Sequence, residues 1–136
     1  MLADVGVRQD EARVVVEMSH SLVALGDDAE AERGWRKALR ITTETQSAFV
    51  ALDALIGIAN LQARQGNLEH ALDLAWIVLN HPASVQETKR RAEKLRAEIE
   101  ARVTPQQVEK VQARARDESL EHVINQILGT NSTPSH

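Results

Sequence analysis

The chain has 136 residues, of which 43% are hydrophobic and 2% aromatic, and it contains no cysteine. This length suits one domain, and a core with so few rings is built from Leu, Ile, Val and Ala, which favours closely packed helices over a sandwich or barrel. The lack of cysteine excludes disulfides, thiolate zinc sites and cysteine nucleophiles, and it indicates a reducing, cytoplasmic compartment. We predict an all-α protein with a single domain over residues 1–130.

Charge and hydropathy limit the partners. Sixteen basic and twenty acidic residues leave a net charge of −4, which gives no field to attract DNA or an acidic membrane surface. The chain begins without the basic and apolar segments of a signal peptide, and it has no apolar run long enough to span a bilayer. We expect no membrane association, and the charge argues against nucleic acid as the main partner.

Turn and capping signals divide the chain into about seven helices. The first spans residues 8–25 and stops before Gly26, a residue that tolerates the positive φ angle of a helix C-terminus. Asp27, three residues before Glu30, begins the second helix, which runs to about Ile41. Apolar residues on the first helix form one stripe of Val14, Val15, Met18, Leu22 and Leu25, which we expect to face the core, and another of Val16 and Val23.

Two further helices follow in the middle of the chain. The third covers residues 43–66 and opens with a capping box of Thr43 and Gln46. The fourth covers residues 67–80 and ends before Pro82, because proline disfavours helical geometry in the residue that precedes it.

The last three helices are more charged. A capping box of Ser84 and Glu87 opens the fifth helix, residues 84–102. Thr104-Pro105 opens the sixth, and the seventh ends before Gly129. Residues 131–136 are polar and are predicted to form a disordered tail.

The first four helices make two similar pairs. Their turns, Gly26-Asp27 and Gly66-Asn67, lie 40 residues apart, and Ala31 or Ala71 follows five residues after each turn glycine. A small residue at that place lets two antiparallel helices approach closely. Such hairpins cannot bury their apolar faces alone, so copies stack. The predicted units are residues 8–42, residues 43–82 and a C-terminal cap of residues 84–129.

These pairs resemble the tetratricopeptide repeat (TPR) family. The matching positions are Met18-Ser19, Leu22, Gly26-Asp27, Ala31, Trp35 and Ala38-Leu39 in the first unit, and Ile58-Ala59, Gly66-Asn67, Ala71, Val78-Leu79 and Pro82 in the second. The spacing of 40 exceeds the family's 34 residues, and Ala75 stands in place of an aromatic residue. Residues 52–129 resemble the C-terminal repeat region of bacterial STAND-type signalling and transcriptional regulators.

The resemblance implies a TPR-like α-solenoid of antiparallel helix hairpins and a non-catalytic protein–protein interaction module. Its partner would be another protein or an adjacent domain of the same polypeptide, in the cytoplasm of a bacterium. In the resembled family the first helix of each pair lines a concave face. Mapped onto this sequence, the contact positions are Arg13, Val16, His20, Asp53, Ile56, Asn60 and Arg64.

Two alternatives stay open. Val16 and Val23 are either scattered surface valines or a face through which two copies associate as a homodimer. The basic residues of the helix at 84–102 are either a nucleic-acid contact or one half of surface ion pairs with the glutamates between them.

The sequence offers no combination of residues for catalysis. Glu17 and His20 form half of a di-iron carboxylate motif, and a second half is missing. The remaining histidines lack metal-ligand spacing, and no glycine-rich phosphate loop is present. We predict no enzymatic activity, no metal site and no cofactor.

Overall fold

A computed structural model describes residues 2–129, with side chains described from Gly6 onward. Within this range the secondary structure consists of seven α-helices, and no strand is present. The predicted all-α class and the number of helices are therefore confirmed. The helices are α1 (Leu2–Ala24), α2 (Asp28–Thr45), α3 (Ala48–Arg64), α4 (Leu68–Asn80), α5 (Gln86–Glu100), α6 (Pro105–Arg116) and α7 (Leu120–Leu128).

Several helix ends form as the sequence predicts. The Asp27 side chain accepts a hydrogen bond from the Glu30 amide at 3.3 Å and caps α2. Thr104 and Gln107 form both halves of a capping box at the start of α6. Gly66 has a φ angle of +91°, which a residue with a side chain adopts only at a cost in free energy, and it lies in the turn directly after α3. The predicted tail at 131–136 lies outside the described residues.

The predicted capping box of Thr43 and Gln46 is wrong. The second helix continues to Thr45, so the junction predicted between residues 42 and 43 falls near residues 46 and 47. Thr43 Oγ1 instead donates to the Leu39 carbonyl at 3.0 Å, as a hydroxyl inside a helix does. Gln46, with a φ angle of +60°, ends the helix in the left-handed conformation.

The start of α5 and the start of α1 also differ from the prediction. Ser84 does not cap α5, because the N-cap position is taken by Val85; the Ser84 hydroxyl donates to the Val78 carbonyl at 2.6 Å and ties the loop to α4. The helix begins at Gln86 instead, after Val85. The first helix begins at Leu2, well before the predicted residue 8.

The helices pack in a regular order. The pairs α1/α2 and α3/α4 lie along each other, and α2 contacts α3 as α4 contacts α5. The first, third and fifth helices are neighbours, since α1 contacts α3 and α3 contacts α5. On the other side α6 packs on α4 and α7 on α2. Between Leu2 and Gly129, no helix combines the length and the apolar character that crossing a bilayer requires.

The core is centred on α3 and α4. Ala31 and Ala71, the predicted small residues, are both fully buried. Trp35 is 1% exposed, and its ring lies directly against Gly57 of α3. Trp76 lies at the edge of the core, where its Nε1 donates to Glu100 Oε2 at 3.1 Å.

The first helix presents a different face to the core from the predicted one. Val16 is 1% exposed and Val23 is partly buried against the core, so these valines do not form an exposed self-association face. Met18 and Leu25, predicted to lie inside, are 59% and 82% exposed. The exposed residues Val7, Val14, Met18 and Leu25 form the apolar stripe of α1.

Close packing against α2 explains this orientation. A Cβ atom added to Gly34 would lie 2.1 Å from Ser19 Oγ, so the two helices approach closely at these residues. Ala12 and Ser19 are buried in α1, and both are small. The face that has small residues at the helix crossing is therefore the inward one, and Met18 and Leu25 remain outside.

Candidate functional site

The exposed edges of α1, α3 and α5 enclose a groove. Its volume is 750 Å³, within the range of sites that receive ligands or side chains of a partner. One wall is the part of α1 from Asp10 to Met18, the second is the start of α3 from Phe49 to Asp53, and the third is Val85 with the first turns of α5. We call this site the α1–α3–α5 groove.

The groove has an apolar floor and a partly charged rim. Val16, Val50 and Thr88 are buried beneath it, and Val14 and Met18 remain exposed at its edge. Exposed apolar side chains that converge on one concave surface indicate a contact site more strongly than single surface valines do. The charged lining residues are Asp10, Arg13, Glu17, Asp53, Glu87 and Arg91.

Three polar side chains from three helices meet at the inner end of the groove. Arg91 Nη1 donates to Asp53 Oδ1 at 3.0 Å, and the same nitrogen lies 3.0 Å from His20 Nε2. His20 Nε2 also lies 3.2 Å from Asp53 Oδ1. Nε2 carries either a proton or a lone pair, so it donates to Asp53 or accepts from Arg91, never both. The His20–Asp53–Arg91 cluster therefore links α1, α3 and α5 through either of two arrangements.

His20 also connects the groove to the core. Its ring contacts that of Trp35 edge-on, with 5.2 Å between the ring centroids. On its open side it lines a second hollow of 300 Å³ together with Asn60, Arg91 and Lys94. The cluster thus separates the α1–α3–α5 groove from this smaller polar hollow.

The structure brings some of the predicted concave-face residues together. Arg13, Val16 and Asp53 line the groove, although Val16 is accessible only as part of its floor. His20 joins Asp53 in the cluster. Asn60 lies in the adjoining hollow, and its Nδ2 donates to the Ile56 carbonyl one turn earlier, at 3.1 Å.

The two other predicted contacts lie elsewhere. Ile56 is fully buried in the core and is not a surface residue, which contradicts the prediction. It follows Leu55 and precedes Gly57, in a part of α3 that packs on both sides and so has little exposed surface. Arg64 pairs instead with Asp28 of α2, at 2.7 Å between Nη2 and Oδ1.

The third wall of the groove was not predicted from the sequence. Val85, Thr88 and Arg91 belong to the segment predicted as a C-terminal cap, yet they complete the site. A usable signal was present, because Thr88, Arg91 and Leu95 recur at spacings of three and four and so share one helical face. That face packs on α3, and only the tertiary structure reveals this contact.

The basic character of α5 is largely balanced by its own acids. The helix has five Lys or Arg side chains and four Glu side chains. Arg90 bonds to Glu87 at 2.7 Å, and Arg96 bonds to both Glu93 and Glu100. The hydrogen bond from Arg96 lowers the pKa of Glu93. The ion-pair interpretation of this helix therefore describes its surface better than a nucleic-acid stripe does.

A second unusual group lies away from the groove. Asp73 of α4 is buried, and its Oδ1 has no hydrogen-bond partner among the described residues. Burial raises the pKa of Asp73, the positive charges of Arg114 and His70 oppose this, and the negative charge of Glu118 adds to it. Arg114 is a weak partner, with 3.9 Å between its Nε and Asp73 Oδ2. In the described part of the chain, no three His, Asp or Glu side chains are grouped so that they could hold a metal ion.

Comparison with models of protein families, with curated proteins and with solved structures found no match for this chain. The chemistry of the groove is therefore the guide to function, because a fold alone does not define a function.

Proposed function

We propose that this chain is a non-catalytic protein–protein interaction module built from TPR-like helix hairpins. The pairs α1/α2 and α3/α4 would be the two repeats, and α5, α6 and α7 would be the C-terminal cap, in which α5 and α6 both pack on α4. Support comes from the contacts of α1 with α3 and of α3 with α5, the neighbour relation that stacked hairpins have. The buried Ala31 and Ala71 at corresponding positions support the same arrangement.

The observation that carries the proposal is the apolar edge of the α1–α3–α5 groove. Val14, Met18 and Val85 are large hydrophobic side chains that remain exposed around a concavity of 750 Å³. Burial of such side chains by a partner is favourable, at about 25 cal/mol per Å² of apolar surface. A segment of another protein, or of another domain of the same polypeptide, would supply the covering surface.

The wider setting that we propose is the C-terminal part of a bacterial cytoplasmic signalling or transcriptional regulator. The support is the resemblance of residues 52–129 to the repeat regions of STAND-type regulators. The test is the genomic sequence directly upstream. A nucleotide-binding core in the same reading frame would support this setting, and a stop codon there would contradict it.

A photo-crosslinking experiment tests the interaction function. A photoreactive amino acid at Val85 is expected to crosslink a protein partner in the source organism, because this residue lines the groove. The matched control has the same amino acid at Gln126, which is exposed on α7. Met18→Asp should remove the crosslink from Val85. A partner that crosslinks equally from Gln126, or that is unaffected by Met18→Asp, would contradict the proposal.

Self-association is a second candidate function, and the apolar stripe of α1 favours it. Val7, Val14, Met18 and Leu25 follow each other at intervals of seven, four and seven residues, so they lie on one line along the helix. The spacing is symmetric about its midpoint, and two antiparallel copies could therefore pair each residue with one at the opposite end. Light scattering tests this: a dimer that Leu25→Glu converts to a monomer would support it, and a monomeric unmodified chain would contradict it.

A further inference from the structure

The charge of the α1–α3–α5 groove is unevenly distributed. Its lining has four carboxylates and two guanidinium groups, a net charge of −2 when all are ionised. Arg91 is engaged by Asp53. Arg13 lies 3.8 Å from Asp10, so the positive charges are already largely neutralised within the chain. Glu87 is likewise paired, with Arg90 at 2.7 Å, so the unpaired charge of the lining is the carboxylate of Glu17.

Glu17 carries this unpaired charge on the exposed surface of α1. Its side chain is exposed and has no ion-pair partner among the described residues. It precedes Met18 and lies one turn after Val14, two of the exposed apolar side chains at the groove edge. A ligand that covers the apolar edge thus also approaches an unpaired carboxylate, and its affinity is highest if it places a cation there.

The wall formed by α1 favours a helical ligand. From Asp10 to Met18 the chain lies inside α1, so its backbone N–H and C=O groups are bonded within the helix. An extended peptide would find no row of free backbone partners along this wall. A helix satisfies its own backbone hydrogen bonds and can contribute side chains alone, as in helix-in-groove recognition.

We infer that the α1–α3–α5 groove receives a basic amphipathic helix of a partner protein. Its apolar face would cover Val14, Met18 and Val85, and a Lys or Arg side chain would lie near Glu17. This inference rests on the proposed interaction function and specifies the chemistry of the partner.

Three labelled peptides test the inference by fluorescence anisotropy with the full chain. The first is an amphipathic helix of Leu and Lys, the second has Glu in place of every Lys, and the third has the composition of the first in an order that destroys the amphipathic pattern. The first is expected to bind at least about tenfold more tightly than the other two. Its affinity should fall as salt is added, because salt screens exposed charges.

Matched variants locate the binding site. Glu17→Lys is expected to weaken the basic peptide by about tenfold, and Glu109→Lys, an equal charge change on the exposed surface of α6, by less than about twofold. Met18→Ser should weaken it, and Leu25→Ser should not, because Leu25 is exposed on α1 outside the groove. Circular dichroism of each variant verifies that the helices are retained.

The outcomes separate this inference from the proposed function. Binding of the acidic peptide, with loss on Met18→Ser, would overturn the inference and leave the interaction function standing. Equal losses from Met18→Ser and Leu25→Ser would count against both. Three other results would each overturn the inference. They are a lack of binding of the basic peptide, equal effects of Glu17→Lys and Glu109→Lys, and a dimer that Leu25→Ser dissociates.

Discussion

Replacement of Gly57 by alanine is the sharpest test of the packing around Trp35. A Cβ atom added at Gly57 would lie 2.3 Å from Trp35 Cε2, 2.4 Å from Cζ2 and 2.9 Å from Cδ2. The first distance is about 1.5 Å shorter than the usual contact between carbon atoms. The indole ring is rigid and 1% exposed, so it cannot rotate one atom away from the new methyl group and must move as a whole.

Two opposing terms set the expected magnitude. Alanine favours a helix over glycine by about 1 kcal/mol, which would stabilise α3. Overpacking a core costs about 1–3 kcal/mol, and contact with three ring atoms places this site in the upper part of that range. The expected net result is a free energy of unfolding lower by about 2 kcal/mol.

Urea unfolding followed by far-UV circular dichroism measures this change. Gly34→Ala is the matched control, because the added Cβ would meet chiefly Ser19 Oγ, which can rotate about one bond. We expect the Gly34 variant to stay within about 1 kcal/mol of the unmodified chain. A Gly57→Ala variant as stable as the unmodified chain would refute the description of Trp35 as wedged against α3.

Three further predictions concern single side chains. Gln46→Gly should raise the free energy of unfolding by about 1 kcal/mol, because glycine adopts the φ angle of +60° without strain; a gain of the same size from Gln46→Ala would contradict this reason. Asp53→Ala should lower the free energy of unfolding by about 1–2 kcal/mol, since Arg91 and His20 lose their shared partner. In a double-mutant cycle, Arg91→Ala should cost little further stability once Asp53 is replaced, and additive losses would disprove the coupling. Burial raises the pKa of Asp73, so the folded chain retains a proton that the unfolded chain loses, and the contribution of this group to stability decreases as pH rises from the ordinary pKa of the unfolded state. Asp73→Asn should therefore raise the thermal midpoint by about 3 °C at neutral pH and leave it unchanged in acid; an equal gain at both pH values would show that charge is not the cause.

Much of the fold could be predicted because its signals are local. The helix ends at Asp27 and at Thr104 depend on side chains within three residues of the cap, and the sequence contains both partners. Ser84 shows where this reasoning fails. Its hydroxyl donates to a carbonyl of α4, and the next helix begins one residue later than the capping pattern predicts. A sequence pattern cannot rank a local bond against a tertiary one.

The site was less predictable because it depends on which face of a helix is covered. The first helix has apolar residues on two sides, so its pattern is compatible with either orientation, and the orientation predicted from the longer stripe was wrong. The close approach of Ser19 and Gly34 decided the outcome. Arg91 escaped notice for a related reason, since its partners Asp53 and His20 lie on other helices. The residues within one helix could be predicted, but the contacts between distant helices could not.

The contact between His20 and Trp35 supplies the protein with an internal optical reporter. The indole is buried, yet its neighbour His20 is bonded to groups that line the groove, so a ligand that disturbs the cluster also changes the surroundings of the fluorophore. Trp76 is the only other tryptophan in the sequence, and Trp76→Phe would leave Trp35 as the sole source of indole emission. Occupancy of the groove could then be followed by intrinsic fluorescence on unlabelled protein.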